Sequence, residues 1–346
     1  MEKINIAYIL DFLKDICQTP SPTGFAHKAI EKCEAKAKRL GFITSRNNKG
    51  GLIIDVPGKT PGFKRLVTGH VDTLGAMVRS VGGDGWLRIT PIGSYMMQTV
   101  EGEYCTIFTR AGRKYSGTCL TDQPSVHVFD GARTQERKAD NMVIRIDEKV
   151  KSKADTDNLG IMAGDFIAWD SRTEITESGF IKSRHLDDKA GVALIFGTLE
   201  AISSGRMNPE YSFSAVISNY EEVGHGASFV PDADEMLAVD MGAVGSDLTT
   251  DEYKVSICAK DSSGPYDFDM TTQLVNLAKS NNLNYSVDIY PFYGSDASAA
   301  LHAGHNIRAA LIGPGVQASH SMERTHKEGL EQSAKLLAAY LESPKA

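Results

Sequence analysis

Phe213-Ser214-Ala215-Val216-Ile217-Ser218-Asn219-Tyr220-Glu221-Glu222-Val223-Gly224-His225-Gly226 is the stretch that orients the whole reading. Its first part is an apolar run bounded by polar and glycine residues, as in a short buried strand. Two adjacent acids follow where that strand ends. Side chains alternate in direction along an extended segment, so neighbouring carboxylates there can do different jobs. One can bind a metal while the other holds a proton. Alone, a Glu-Glu pair is most simply a solvated loop tip. Its meaning comes from what else the chain supplies.

Outward from this stretch the texture is that of an α/β protein. Apolar residues at Ile4, Ile6, Ile9, Leu13 and Ile16 fit one helical face, which stops at Thr19-Pro20-Ser21-Pro22-Thr23-Gly24. A second helix is expected from Phe25 to Leu40, closed by Gly41, and strands at Gly51 to Val56 and Arg65 to Thr68. From Leu74 to Phe166 runs are short and punctuated by glycine and polar residues. Candidate strands there are Gly75 to Val81, Trp86 to Ile89, Tyr104 to Phe108 and Val126 to Phe129, giving an inserted, mainly β module. After Arg184 helices and strands alternate again, through a last strand at Ile307 to Ile312 and a final helix over Glu328 to Leu341.

Composition narrows the classes. The 346 residues exceed one ordinary core, and 41% hydrophobic with 23% charged residues suits a folded soluble chain. A net charge of −7 argues against nucleic acid or an anionic membrane surface as partner. No stretch is apolar enough to span a membrane, and Met1-Glu2-Lys3-Ile4-Asn5 lacks the features of a signal peptide. The five cysteines are scattered without a Cys-x-x-Cys spacing, so a disulfide framework or thiolate zinc site is not expected, and a cytoplasmic location is. A metal would have to be held by histidine and carboxylates.

Such residues stand beside the apolar runs. His70-Val71-Asp72 follows Leu66-Val67, and Asp72 can reach back to the far nitrogen of the His70 ring. Asp187-Asp188 opens a helix, where one aspartate would suffice as N-cap and a second is free to bridge metal ions. Asp240 closes Met236-Leu237-Ala238-Val239, and His320 lies in the loop after the last strand. His326 suits structure or substrate contact instead. Two histidines, three carboxylates and one free glutamate suit two divalent ions of the zinc or cobalt kind, with a water between them acidified toward a pKa of about 7.

With these motifs assembled, the chain resembles the M42 family of dinuclear metallo-aminopeptidases. The matching segments are His70-Val71-Asp72, Leu186-Asp187-Asp188-Lys189-Ala190-Gly191, Glu221-Glu222-Val223-Gly224, Val239-Asp240 and Ser319-His320-Ser321. Pro20 to Gly24 and Gly294-Ser295-Asp296-Ala297 also resemble family segments. The resemblance implies His70 and Asp240 in one metal site, Glu222 and His320 in the other, Asp187 bridging, Glu221 as general base, and Asp72 orienting His70. Manganese is a third metal it allows. It implies a cis Asp187–Asp188 peptide. It also implies an α/β/α sandwich catalytic domain with a mixed central sheet over 1–73 and 168–346, and a PDZ-like dimerisation domain over 74–167. Short peptides would be substrates, and homo-oligomers from dimer to dodecamer the assembly.

Three departures concern substrate preference and assembly rather than ligands. Thr73-Leu74-Gly75 stands for the more usual Glu-Ile-Gly, Lys189 for arginine, and Ser321 to His326 for a commoner sequence. Other readings remain: a deacylase or carboxypeptidase on a related scaffold, a catalytically silent metal-binding assembly protein, or a glycosidase. The last would leave the histidines without a role.

Overall fold

The computed structural model describes residues 3–346. Its centre is a ten-stranded mixed sheet. Four strands at its middle, Tyr211–Ser218, Thr60–His70, Glu235–Val239 and Arg308–Val316, run parallel. Leu52–Val56 and Val255–Asp261 flank them antiparallel. Because the middle strands are parallel, their carboxyl ends open on one edge of the sheet, where His70, Glu221, Glu222, Asp240 and His320 follow.

Alternation decides which side chains go to which face. Val67, Ala215, Ile217, Leu237, Val239 and Ile312 join one core with the helices Ile6–Cys17, Leu186–Ser203 and Lys327–Glu342. Their neighbours Leu66, Val216, Met236, Ala238 and Leu311 face the other side, against Tyr266, Tyr290 and the helix Asp296–His302. The helix Leu186–Ser203 is buried on nearly every side, which is why its sequence is apolar all round. A Cβ on its Gly197 would lie 2.4 Å from Cγ1 of Ile9, so glycine lets the first helix approach closely.

The insert forms a closed barrel of six strands: Gly75–Val81, Leu87–Ile92, Met142–Ile146, Lys114–Thr121, Tyr104–Phe108 and Phe166–Trp169. Its last strand continues past the expected boundary at residue 167. Val126 to Phe129, expected as a strand, is a turn running into a short 3-10 helix, with Val128 left 73% exposed. Apolar residues alone do not make a strand without a partner edge. Lys114–Thr121, by contrast, pairs fully although polar residues dominate it, because only alternate side chains need burial.

At the amino ends of the parallel strands a buried ion pair ties the chain together. Arg65 donates from Nε to Glu235 Oε2 at 3.2 Å, and from Nη1 to the carbonyls of Tyr340 and Ser343 at 2.6 and 3.1 Å. Glu235 also accepts from Arg308 and from the Tyr340 hydroxyl. Removing one partner strands the other without solvent. Glu235→Ala is therefore expected to destabilise the fold by about 3–5 kcal/mol, read from urea unfolding monitored by tryptophan fluorescence.

Candidate metal centre

Each candidate ligand arrives from a separate element. His70 is the last residue of its strand, pairing across to Ser218. Glu221 and Glu222 begin a short 3-10 turn after Tyr220, whose φ of 78° turns the chain out of the sheet. Asp240 directly follows Val239. His320 has φ 62°, a left-handed conformation that a side chain adopts only where surrounding contacts hold it.

Asp187 and Asp188 divide their work. Neither has helical backbone angles, and the peptide between them is cis. Asp188 Oδ1 accepts from Gly191 N at 3.0 Å, as a helix N-cap does, while Oδ2 accepts from His70 N at 3.1 Å. Gly191 is required there, since a Cβ would lie 2.1 Å from the Val239 carbonyl. Asp187 is left facing the cleft. Its Oδ1 lies 3.1 Å from His70 Nε2, and its Oδ2 lies 3.3 Å from His320 Nε2. Glu221 Oε2 stands 3.5 Å from His70 Nε2, and Glu222 Oε2 stands 3.5 Å from His320 Nε2. Ligand atoms of His70, Asp187 and Glu222 all lie within 4.8 Å of one another, as do those of His70, Asp188 and Asp240. The structure thus brings together all five expected ligands and Glu221.

Asp72 sits differently from its expected role. Nδ1 of His70 meets the backbone carbonyl of Asp72 at 3.0 Å, and the carboxylate is 3.7 Å away. That carboxylate instead accepts from Glu221 N and Glu222 N at 3.2 and 3.4 Å, and from the Thr23 hydroxyl at 2.6 Å. Asp72 fixes the glutamate pair, and its main chain fixes the histidine. Thr23 thereby ties the Pro20 to Gly24 segment to this edge. Asp296, from the other family-like segment, accepts from Thr68, Ser218 and Ala227, tying three parts of the carboxyl edge together.

Glu323 carries a part that sequence reasoning misses. It is buried, and its two oxygens accept from His320 N at 3.0 Å and Asp187 N at 2.9 Å. His320 Nδ1 meets the Ser94 carbonyl of the barrel at 2.6 Å. The only sequence signal is an acid three residues after the candidate ligand. His326 is engaged elsewhere: its ring accepts from Glu328 N and packs on Phe180 and Tyr253.

Electrostatics show what the cluster requires. Burial lifts Glu222 to about 8, with Asp187 adding repulsion, and lifts Asp240 to about 7 for the same two reasons. Burial likewise holds Asp188, Glu221 and Glu323 well above the usual carboxylate range. Burial opposes charge on the histidines too, yet the surrounding acids raise His320 to about 10 and His70 well above its ordinary value. For Asp187, hydrogen bonds from His320 and His70 outweigh burial and keep it ionised. Among the described residues no lysine or arginine forms an ion pair with these acids; their charged partners are the two histidines. Apart from Asp187, these buried acids favour their protonated forms, and divalent ions can take the place of those protons. The donor set of imidazole and carboxylate fits zinc or cobalt.

The sequence profile of the M42 glutamyl aminopeptidases matches residues 50–336. The chain belongs to the M42 peptidase family. It is 49% identical over 337 residues to the Bacillus subtilis (strain 168) protein named "Putative aminopeptidase YhfE", covering 97% of each chain. It is 26% identical over 218 residues to the glutamyl aminopeptidase of Lactococcus lactis subsp. cremoris, covering 62% of this chain and 60% of that one. Its fold matches the Pyrococcus horikoshii TET1 peptidase, which can assemble into a tetrahedron or a large octahedral shell, with TM-score 0.85, 22% identity and coverage of 97% and 100%. As a member of the M42 family, the chain is an aminopeptidase, a peptide hydrolase.

Glu323 gives the centre a test. Glu323→Gln keeps the volume but offers one acceptor oxygen where two N–H groups need one each. It is expected to weaken divalent-metal binding about 10–100-fold. Zinc titration after chelator treatment reads this, with far-UV circular dichroism unchanged.

Proposed function

We propose that the protein removes N-terminal residues from short peptides using two divalent ions, zinc or cobalt with manganese also accepted. The observation that carries this is Asp187, whose two oxygens each face a different histidine. His70, Asp240 and one oxygen of Asp187 would hold one ion; His320, Glu222 and the other oxygen would hold the second. When bound, the ions would polarise the scissile carbonyl and acidify the attacking water.

Glu221 is the group that moves protons. It sits 3.5 Å from His70 Nε2 on the cleft side, and its backbone is pinned by Asp72. Burial, opposed by His70 and reinforced by Asp240, raises its proton affinity. A carboxyl with raised affinity can take the proton from water and deliver it to the leaving amine. The surplus of acids favours a substrate carrying a free ammonium group. Among the described residues no lysine or arginine lines the cleft to catch a C-terminal carboxylate, so the carboxypeptidase alternative lacks its anchor. Amino-blocked and free-amine substrates compared side by side separate a deacylase from an aminopeptidase.

Self-assembly is proposed to run through the PDZ-like domain at 74–167, set into a catalytic domain of 1–73 and 168–346 that forms an α/β/α sandwich. The exposed Val126, Val128 and Phe129 lie in that insert, and the assembling TET1 peptidase shares the fold. The five free, buried cysteines suit a reducing cytoplasm.

Glu221→Gln is expected to retain its metal while losing turnover by about 10²–10⁴-fold. Metal content and aminoacyl-p-nitroanilide hydrolysis measured on the same preparation decide it, and parental turnover would remove Glu221 from the role of base. Chelation is expected to abolish activity of the parental protein, and added zinc or cobalt to restore it.

A further inference from the structure

The cleft leading away from Asp187 has a volume of 890 Å³, the size of a small-molecule site. One wall is the acid and histidine cluster. The facing wall includes Leu248, Ser263, Phe292, Tyr293, Ala299 and His302. Among the described residues no lysine or arginine reaches this lining, and its only carboxylates are those of the cluster.

The charged groups nearest this wall are held in hydrogen bonds. Asp261 accepts from Ser263 N at 2.8 Å, from the Ser263 hydroxyl at 2.5 Å and from the Tyr266 hydroxyl at 2.9 Å. Lys260 Nζ donates to the Asp261 carbonyl at 2.8 Å. Asp296 is saturated by its three donors. A glutamyl side chain reaching this wall would lose water and meet no lysine or arginine there, only the imidazole of His302. A lysyl side chain would find hydroxyls and rings on this wall but no carboxylate lining it. Phe292 is 97% exposed at the mouth, so its ring is free to cover an apolar side chain of the substrate.

We propose that the cleft selects N-terminal residues with uncharged side chains of leucine or methionine size, and that Phe292 forms the apolar wall against them. This rests on the aminopeptidase reading above. It sets the chain apart from its Lactococcus relative, whose name specifies glutamyl residues.

The test uses the full-length, cobalt-loaded protein with leucyl, methionyl, alanyl, glutamyl and lysyl p-nitroanilides. The leucyl and methionyl substrates are expected to exceed the glutamyl and lysyl ones in kcat/KM by about 10–100-fold. A glutamyl or lysyl substrate at the head of the order overturns the inference and leaves the aminopeptidase reading standing. Hydrolysis of none of the five overturns both. Phe292→Ala is expected to raise KM for the leucyl substrate several-fold, with kcat and the alanyl KM little changed. Equal KM values for variant and parent on the leucyl substrate would remove Phe292 from the wall.

Discussion

The arrangement at the carboxyl edge depends on Asp187 presenting one oxygen to each of two imidazoles. His70 and His320 come from parts of the chain 250 residues apart. They can share a carboxylate only because parallel strands end on the same side of the sheet. Once that carboxylate is central, Glu221, Glu222 and Asp240 must crowd around it. Burial and their mutual repulsion then raise the proton affinity of these three acids. The fold supplies the crowding, and the crowding makes this edge a candidate cation site.

The acids of this site fall into two groups with opposite tasks. Asp187, Glu221, Glu222 and Asp240 point into the cleft. Asp72, Asp188, Asp296 and Glu323 point at backbone N–H groups or hydroxyls and hold the first group in place. Carboxylates suit the second task because each oxygen can accept from a separate segment, as Glu323 does between His320 and Asp187. Precise placement of the cleft-facing acids is thereby built from the same residue types as the acids themselves.

Much of this was legible in the residues. Each candidate ligand follows an apolar run or opens a helix, and that local signature places it at an element end without coordinates. That one of Asp187 and Asp188 caps the helix and the other is free also follows from what an N-cap needs; which does which came from the family resemblance. Partners across space were not legible. The exchange at Asp72, where the main chain rather than the carboxylate meets the imidazole, depends on how a turn closes. Glu323 gains its meaning from Asp187, which lies 136 residues earlier. Val126 to Phe129 misleads because composition reports apolarity but not whether an edge is available to pair.

The helix Leu186–Ser203 is enclosed on nearly every side, and its start carries Asp187. Such a helix cannot pivot without disturbing the core on both flanks. The candidate metal centre is consequently anchored in the core, while the far wall of the cleft includes surface residues such as Phe292. A side chain exchanged on that far wall leaves the anchor of Asp187 untouched.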